Sequence, residues 1–125
     1  MKLINEFFEI ARIDSQPDAI RCQVKLNPEH FIYKAHFPGN PVTPGVCLVQ
    51  MATEILGQQY QKTLTLSVLK NIKFKKIVRP EDEPVFVFKK VTIEEEQLST
   101  SVSIENDEGE QFVKLSVVYH HTNVY

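Results

Sequence analysis

Strand-like patterns of apolar and polar residues run through most of this chain. In AIRCQVKL, residues 19–26, Ile20, Cys22, Val24 and Leu26 face one way while Arg21, Gln23 and Lys25 face the other, as in a half-buried strand. The preceding FFEIARI is equally strand-prone, and SQPD between the two reads as a turn. The pattern changes once. Beyond a loop rich in Pro and Gly, Val46, Val49, Ala52, Thr53 and Leu56 recur at three- and four-residue spacing, with Leu48, Met51 and Ile55 on adjacent faces. A helix apolar nearly all round belongs in the middle of a core, and Gly57 weakens its end. Strand-like patterns then resume. LTLSVLKNIKFKKIV predicts a long strand, RPEDEP breaks it, and VFVFKKVTIEE and LSTSVSIEN form a pair joined near Glu95–Gln97. DEGE is a turn in which Gly109 supplies positive φ, and QFVKLSVVYHH closes the set. Two strands, one buried helix and four antiparallel strands give an α+β layer architecture whose long strands wrap the helix.

Composition narrows the function classes. The chain has 125 residues, the size of one domain spanning 1–125, and 42% hydrophobic residues, enough for a real core. A net charge of −2 gives no bulk attraction to nucleic acid or membrane. No apolar run reaches the roughly 18 residues a spanning helix needs. Glu6, Glu9 and Arg12 interrupt the N-terminal apolar positions, so no signal peptide is expected. Two cysteines, Cys22 and Cys47, are too few for a disulfide framework and wrongly spaced for zinc; they read as buried thiols of a cytoplasmic protein.

The chemistry concentrates in HFPGNPVTPGV. His36, Phe37, Pro38, Gly39, Pro41, Pro44 and Gly45 stand in the order His-Phe-Pro-Gly-x-Pro-x-x-Pro-Gly, directly before the helical pattern. By themselves, Pro and Gly here could simply shape a turn that His36 caps. The full pattern resembles the β-hydroxyacyl-acyl carrier protein dehydratases of the hot-dog fold. QVKLNPEHFIYKAHFPG before the motif and IKFKKIVRPEDE after the helix are similar to the same family, so the resemblance covers roughly residues 7–119. It implies a six-stranded antiparallel sheet around a central helix, in a dimer with sites between subunits. Each site takes its His from one subunit and its carboxylate from the other's helix. The implied substrate is a β-hydroxyacyl thioester on the phosphopantetheine of acyl carrier protein, in fatty-acid, polyketide or polyene-type synthesis. It loses water by syn elimination, with no metal or dissociable cofactor.

On that resemblance His36 is the base for the α-proton, its ring held by the carbonyl of Val42. Three prolines stiffen the loop by fixing φ. The Gly45 N–H, at a helix start, stabilises the developing thioester oxyanion. Phe37, Val42, Pro44, Val46 and Val49 would line an acyl tunnel, though plain core packing accounts for them equally. One position departs. The family's carboxylate lies fourteen residues after the His, which is Gln50 here, and an amide cannot serve as general acid. Glu54 follows one helical turn later. Three readings stay open: Glu54 replaces the acid; the chain is a half-site subunit of a heterodimeric dehydratase; or it is an acyl thioesterase or thioester binder.

Other features carry less chemistry. Lys70, Lys73, Lys75, Lys76 and Arg79 form a basic stretch that could steer an acidic carrier protein, or merely be the solvent face of a strand. His30 reads as structural, His120 and His121 as a C-terminal surface pair rather than a metal site, and Glu94–Glu96 as a solvated hairpin end.

Overall fold

A computed structural model describes residues 2–123; Met1, Val124 and Tyr125 lie outside it. Strands β1 (Phe8–Ser15) and β2 (Ala19–Leu26) lead to a short helix α1 (Phe31–Ala35) and the long helix α2 (Gly45–Tyr60). Strands β3 (Lys62–Phe74), β4 (Val85–Glu94), β5 (Gln97–Glu105) and β6 (Gln111–Asn123) follow, with a 3-10 turn at Pro80–Asp82. All six strands form one sheet in the order β1-β2-β4-β5-β6-β3, every pairing antiparallel. The sheet curls round α2, which is the hot-dog fold. Part of the curl comes from bulges: Asn71 and Lys90 take φ of 57° and 54° inside the register shifts of β3–β6 and β4–β5, and a bulge bends its strand.

The core is the inner face of that curl. Cys47, Leu48, Met51, Ala52, Ile55 and Leu56 of α2 join Cys22, Val24, Phe86, Phe88, Val102, Leu115 and Tyr119 of the sheet in a single cluster. Each large side chain buried this way stabilises by about 1.5–3 kcal/mol. The inner stripe of α2 thus takes Ala52 and Leu56 from one apolar spacing and Leu48, Met51 and Ile55 from the adjacent faces. Val46 is exposed, and Val49, Gln50, Thr53 and Glu54 are only partly buried, so this side of the helix is left open by the chain's own sheet.

Local departures have local causes. Gly57 does not end α2, which runs on to Tyr60 and closes at Gln61 with φ 54°. A Cβ at Gly57 would stand 3.0 Å from the Lys62 carbonyl, so the glycine admits the returning chain. The strand expected to continue through KKIV stops at Phe74, and the Lys75 and Lys76 N–H groups both turn to the Phe112 carbonyl. Gly109 has the expected positive φ, 83°. Ahead of β1, Leu3, which no sequence pattern placed, and Phe7, read as part of the first strand, both join the core. No helix among the described residues is long and apolar enough to cross a membrane.

Candidate functional site

His36 sits at the end of a helix the sequence did not reveal. His30 caps α1, its Nδ1 accepting from the Ile32 N–H at 3.1 Å, and its ring lies edge-on to Phe7 with centroids 5.2 Å apart. That agrees with a structural role for His30. Helix α1 ends at His36, whose N–H donates to the Ile32 carbonyl at 3.0 Å. The His36 ring is exposed and makes no hydrogen bond among the described residues, with the Val42 carbonyl or any other group. Immediately after it, Phe37 holds φ of 54° with its side chain 66% exposed. A left-handed conformation costs a non-glycine residue about 1–3 kcal/mol, and such strain gathers at functional sites.

The loop between α1 and α2 is tied at several points. The hydroxyls of Tyr33 and Thr43, both buried, lie 2.7 Å apart. The Thr43 N–H donates to the Val78 carbonyl at 2.8 Å, and the Arg79 guanidinium donates to Asn40 Oδ1. Tyr33 also stacks on Phe7, centroids 5.1 Å apart. Burial pushes its phenol up to about 12, the bond with Thr43 pulling the other way.

Helix α2 starts at Gly45 with Pro44 as an N-cap that offers no side-chain acceptor. The Cys47 and Leu48 N–H groups donate to the Pro44 carbonyl, which leaves those of Gly45 and Val46 for an outside acceptor at the positive end of a sixteen-residue helix. The Phe74 ring covers the Gly45 Cα: a Cβ there would lie 3.0 Å from it. One and a half turns on, Gln50 Nε2 donates to Glu54 Oε2 at 2.8 Å. The Glu54 carboxylate also accepts the Leu3 N–H, at 3.0 and 2.8 Å to its two oxygens, and the Ile4 N–H at 2.8 Å. Two successive backbone N–H groups form an anion-holding concavity, and Glu54 fills it. Gln50 and Glu54 open onto a cleft of about 620 Å³ shared with Lys2, Thr53 and Leu64, whose lining does not include His36.

The remaining expected residues scatter. Phe37 and Val46 are exposed, 66% and 69%, while Val42, Pro44 and Val49 are partly buried. Of the basic stretch, Lys73 lies on β3 opposite Lys114 of β6. Lys75 and Lys76 lie beyond the strand, bonded to Gln111 and Glu110 at 2.6 Å each. The surface reading of the C-terminal histidine pair holds for His120 but is corrected for His121. Its ring points to the inner face of β6, 7% exposed, and neither nitrogen has a hydrogen-bond partner. Among the described residues no cluster of three or more His, Cys, Asp or Glu could hold a metal ion. Both cysteines are free and buried, and burial pushes the Cys22 thiol up to about 12 and raises that of Cys47 as well. The motif treated Thr43 as variable and Tyr33 fell outside it; their pairing became visible only in space.

Comparisons with known proteins agree with this frame. The chain is 38% identical over 72 residues to the 3-hydroxyacyl acyl-carrier-protein dehydratase FabZ of Levilactobacillus brevis, covering 52% of this chain and 49% of that protein. Against the FabZ of Ligilactobacillus salivarius it is 34% identical over 89 residues, covering 66% and 61%. The matches thus span only about half to three fifths of these relatives' lengths. Among solved structures, the dehydratase heterocomplex ApeI:P from Xenorhabdus doucetiae superimposes with a TM-score of 0.64 at 16% identity, covering 89% of this chain and 96% of that one. A hypothetical thioesterase with coenzyme A from Streptococcus pneumoniae does so with a TM-score of 0.62 at 17% identity, covering 96% and 92%. At such identities these structures attest the fold alone. The family model described as ApeI dehydratase aligns with residues 12–116, from β1 to β6 and through the whole motif, and the chain belongs to this ApeI-like family.

Proposed function

We propose that this chain is a dehydratase subunit acting on a 3-hydroxyacyl thioester carried by acyl carrier protein, and that it supplies the base and the oxyanion donor but takes its acid from a partner chain. The observation that carries this reading is the engagement of Glu54. Its carboxylate holds the Leu3 and Ile4 N–H groups and the Gln50 amide, so using it as a proton donor would release the N-terminal segment. Gln50, at the position the motif reserves for the acid, cannot replace it.

In the step envisaged, a neutral His36 imidazole removes the proton on the carbon next to the thioester carbonyl. The electron pair moves onto the carbonyl oxygen, where the Gly45 N–H and the α2 dipole offset the charge. The pair then returns to form the carbon–carbon double bond as the C3–O bond breaks, and the partner's acid protonates the departing hydroxyl to give water. No group of this chain other than His36 needs to titrate. An exposed His36 ring suits a site closed by a second subunit, as does the open side of α2. A precedent for unlike chains is the Xenorhabdus protein of the same fold, itself described as a dehydratase heterocomplex.

The test is dehydration of a 3-hydroxyacyl carrier protein by the purified chain, alone and with a co-expressed homologue carrying a carboxylate at the Gln50 position. Turnover only in the mixed assembly, abolished by His36→Ala in this chain, is the expected outcome. Full turnover by the chain alone, lost in Glu54→Gln, would instead make Glu54 the acid. Release of free thiol without an enoyl product would mark a thioesterase.

A further inference from the structure

We infer that Tyr33 and Thr43 are positioning residues: their hydroxyl pair sets the placement of the His36 imidazole relative to the Gly45 N–H. This rests on the proposed reaction, since it concerns the two groups that reaction uses. Helix α1 has only five residues, far below the length at which a helix holds itself together in water. Tyr33 is its one buried residue, anchored below by the stacked Phe7 ring. His36 lies three positions on, on the same short turn, so any tilt of α1 moves the imidazole. Thr43 lies two residues before Gly45, and its N–H is fastened to Val78. The 2.7 Å bond between them, with both residues at most 4% exposed, therefore joins the base's helix to the loop residue just ahead of the N-cap of the oxyanion donor's helix.

The intervening loop does not supply this link itself. Residues 36–42 are exposed or partly exposed, and Phe37 carries a conformation that favours relaxation elsewhere. A buried hydroxyl pair is strong where water cannot replace it and leaves an unpaired group when one partner is removed. It also asks for hydroxyls at both positions, which apolar residues of similar shape would pack without linking.

Tyr33→Phe and Thr43→Val each remove one oxygen and keep the volume. Misplacing a catalytic group by about an ångström costs up to about 100-fold, so each variant is expected to lower kcat by about 10- to 100-fold with KM within about twofold. The double variant should be no worse than either single, and Thr43→Ser should restore the rate. Amide hydrogen exchange on the isolated chain gives an independent reading. The His36 and Thr43 amides should exchange at least about tenfold faster in both variants, while Val102 and Leu115 in the sheet stay unchanged. Unaltered kcat, or a rise in KM alone, overturns the positioning role, as does acceleration spread equally over all amides. If wild-type protein shows no turnover in any assembly, the dehydratase reading itself fails and the positioning role falls with it. If the wild type turns over and the variants do too, only the brace is refuted.

Discussion

Exchanging the two side chains at positions 50 and 54 tests whether Glu54 is an anchor. In Gln50→Glu, the Nε2 donor that meets Glu54 at 2.8 Å is replaced by a second carboxylate. A hydrogen bond to a charged group contributes about 1.5–3 kcal/mol. Two like charges about 4 Å apart repel by about 4 kcal/mol at the effective dielectric of a partly exposed site. Both side chains can turn toward the cleft they line, so the net loss should be about 2–4 kcal/mol, a fall in Tm on the order of 10 °C for a domain of this size. Adding Glu54→Gln rescues it. The amide introduced at position 54 can donate to the carboxylate introduced at position 50, and its carbonyl still accepts from Leu3 and Ile4. The double variant should therefore regain at least about 1–2 kcal/mol. Urea unfolding of the four proteins of the cycle gives the coupling directly. A Gln50→Glu protein within about 0.5 kcal/mol of wild type at about pH 8, or a double variant no better than the single, would show that the Gln50–Glu54–Leu3 contact is not a stabilising network. The swap also returns a carboxylate to the position fourteen residues after His36, so dehydration by the chain alone should appear in the double variant and be masked by instability in the single one.

Three further outcomes follow from the same geometry. Gly45→Ala would bring its Cβ to 3.0 Å from the exposed Phe74 ring, which can swing away; stability by thermal melting should stay within about 1 kcal/mol, while turnover falls through the obstructed N–H. With its folded pKa raised by burial from 9.0 to about 12, Cys22 keeps its proton in the folded state, so its contribution is intact below about pH 9 and declines as pH rises toward about 12; Cys22→Val should flatten that alkaline slope in urea titrations, and iodoacetamide should label the wild-type thiol only on unfolding. His121→Leu removes two buried nitrogens that have no partners, so it should raise stability by about 1 kcal/mol in urea titrations, whereas a destabilisation would reveal a partner for the ring.

How much could be read in advance varied with the range of the interaction. The alternating residues 19–26, the positive φ at Gly109 and the buried thiols follow from local pattern and composition, and they stand as read. The hot-dog wrap was legible because a helix apolar on most faces needs a sheet on more than one side, and the motif tied that helix to a known family. Alternation also places His121 on the inward face with Leu115, Val117 and Tyr119, yet a polar side chain near a chain end masked that reading. Which stripe of α2 meets the sheet was not available, because apolar residues on every side leave the rotation of the helix undetermined. Tertiary structure alone decided the fate of Glu54 and the pairing of Tyr33 with Thr43. Glu54 meets backbone N–H groups 50 and 51 residues away, and backbone donors carry no residue-type signature. Tyr33 and Thr43 are ten residues apart across a proline loop, and no periodicity sets that distance. The side chains that could do chemistry were thus encoded locally, but the long-range hydrogen bonds that hold Glu54 and join Tyr33 to Thr43 come together only in the folded chain.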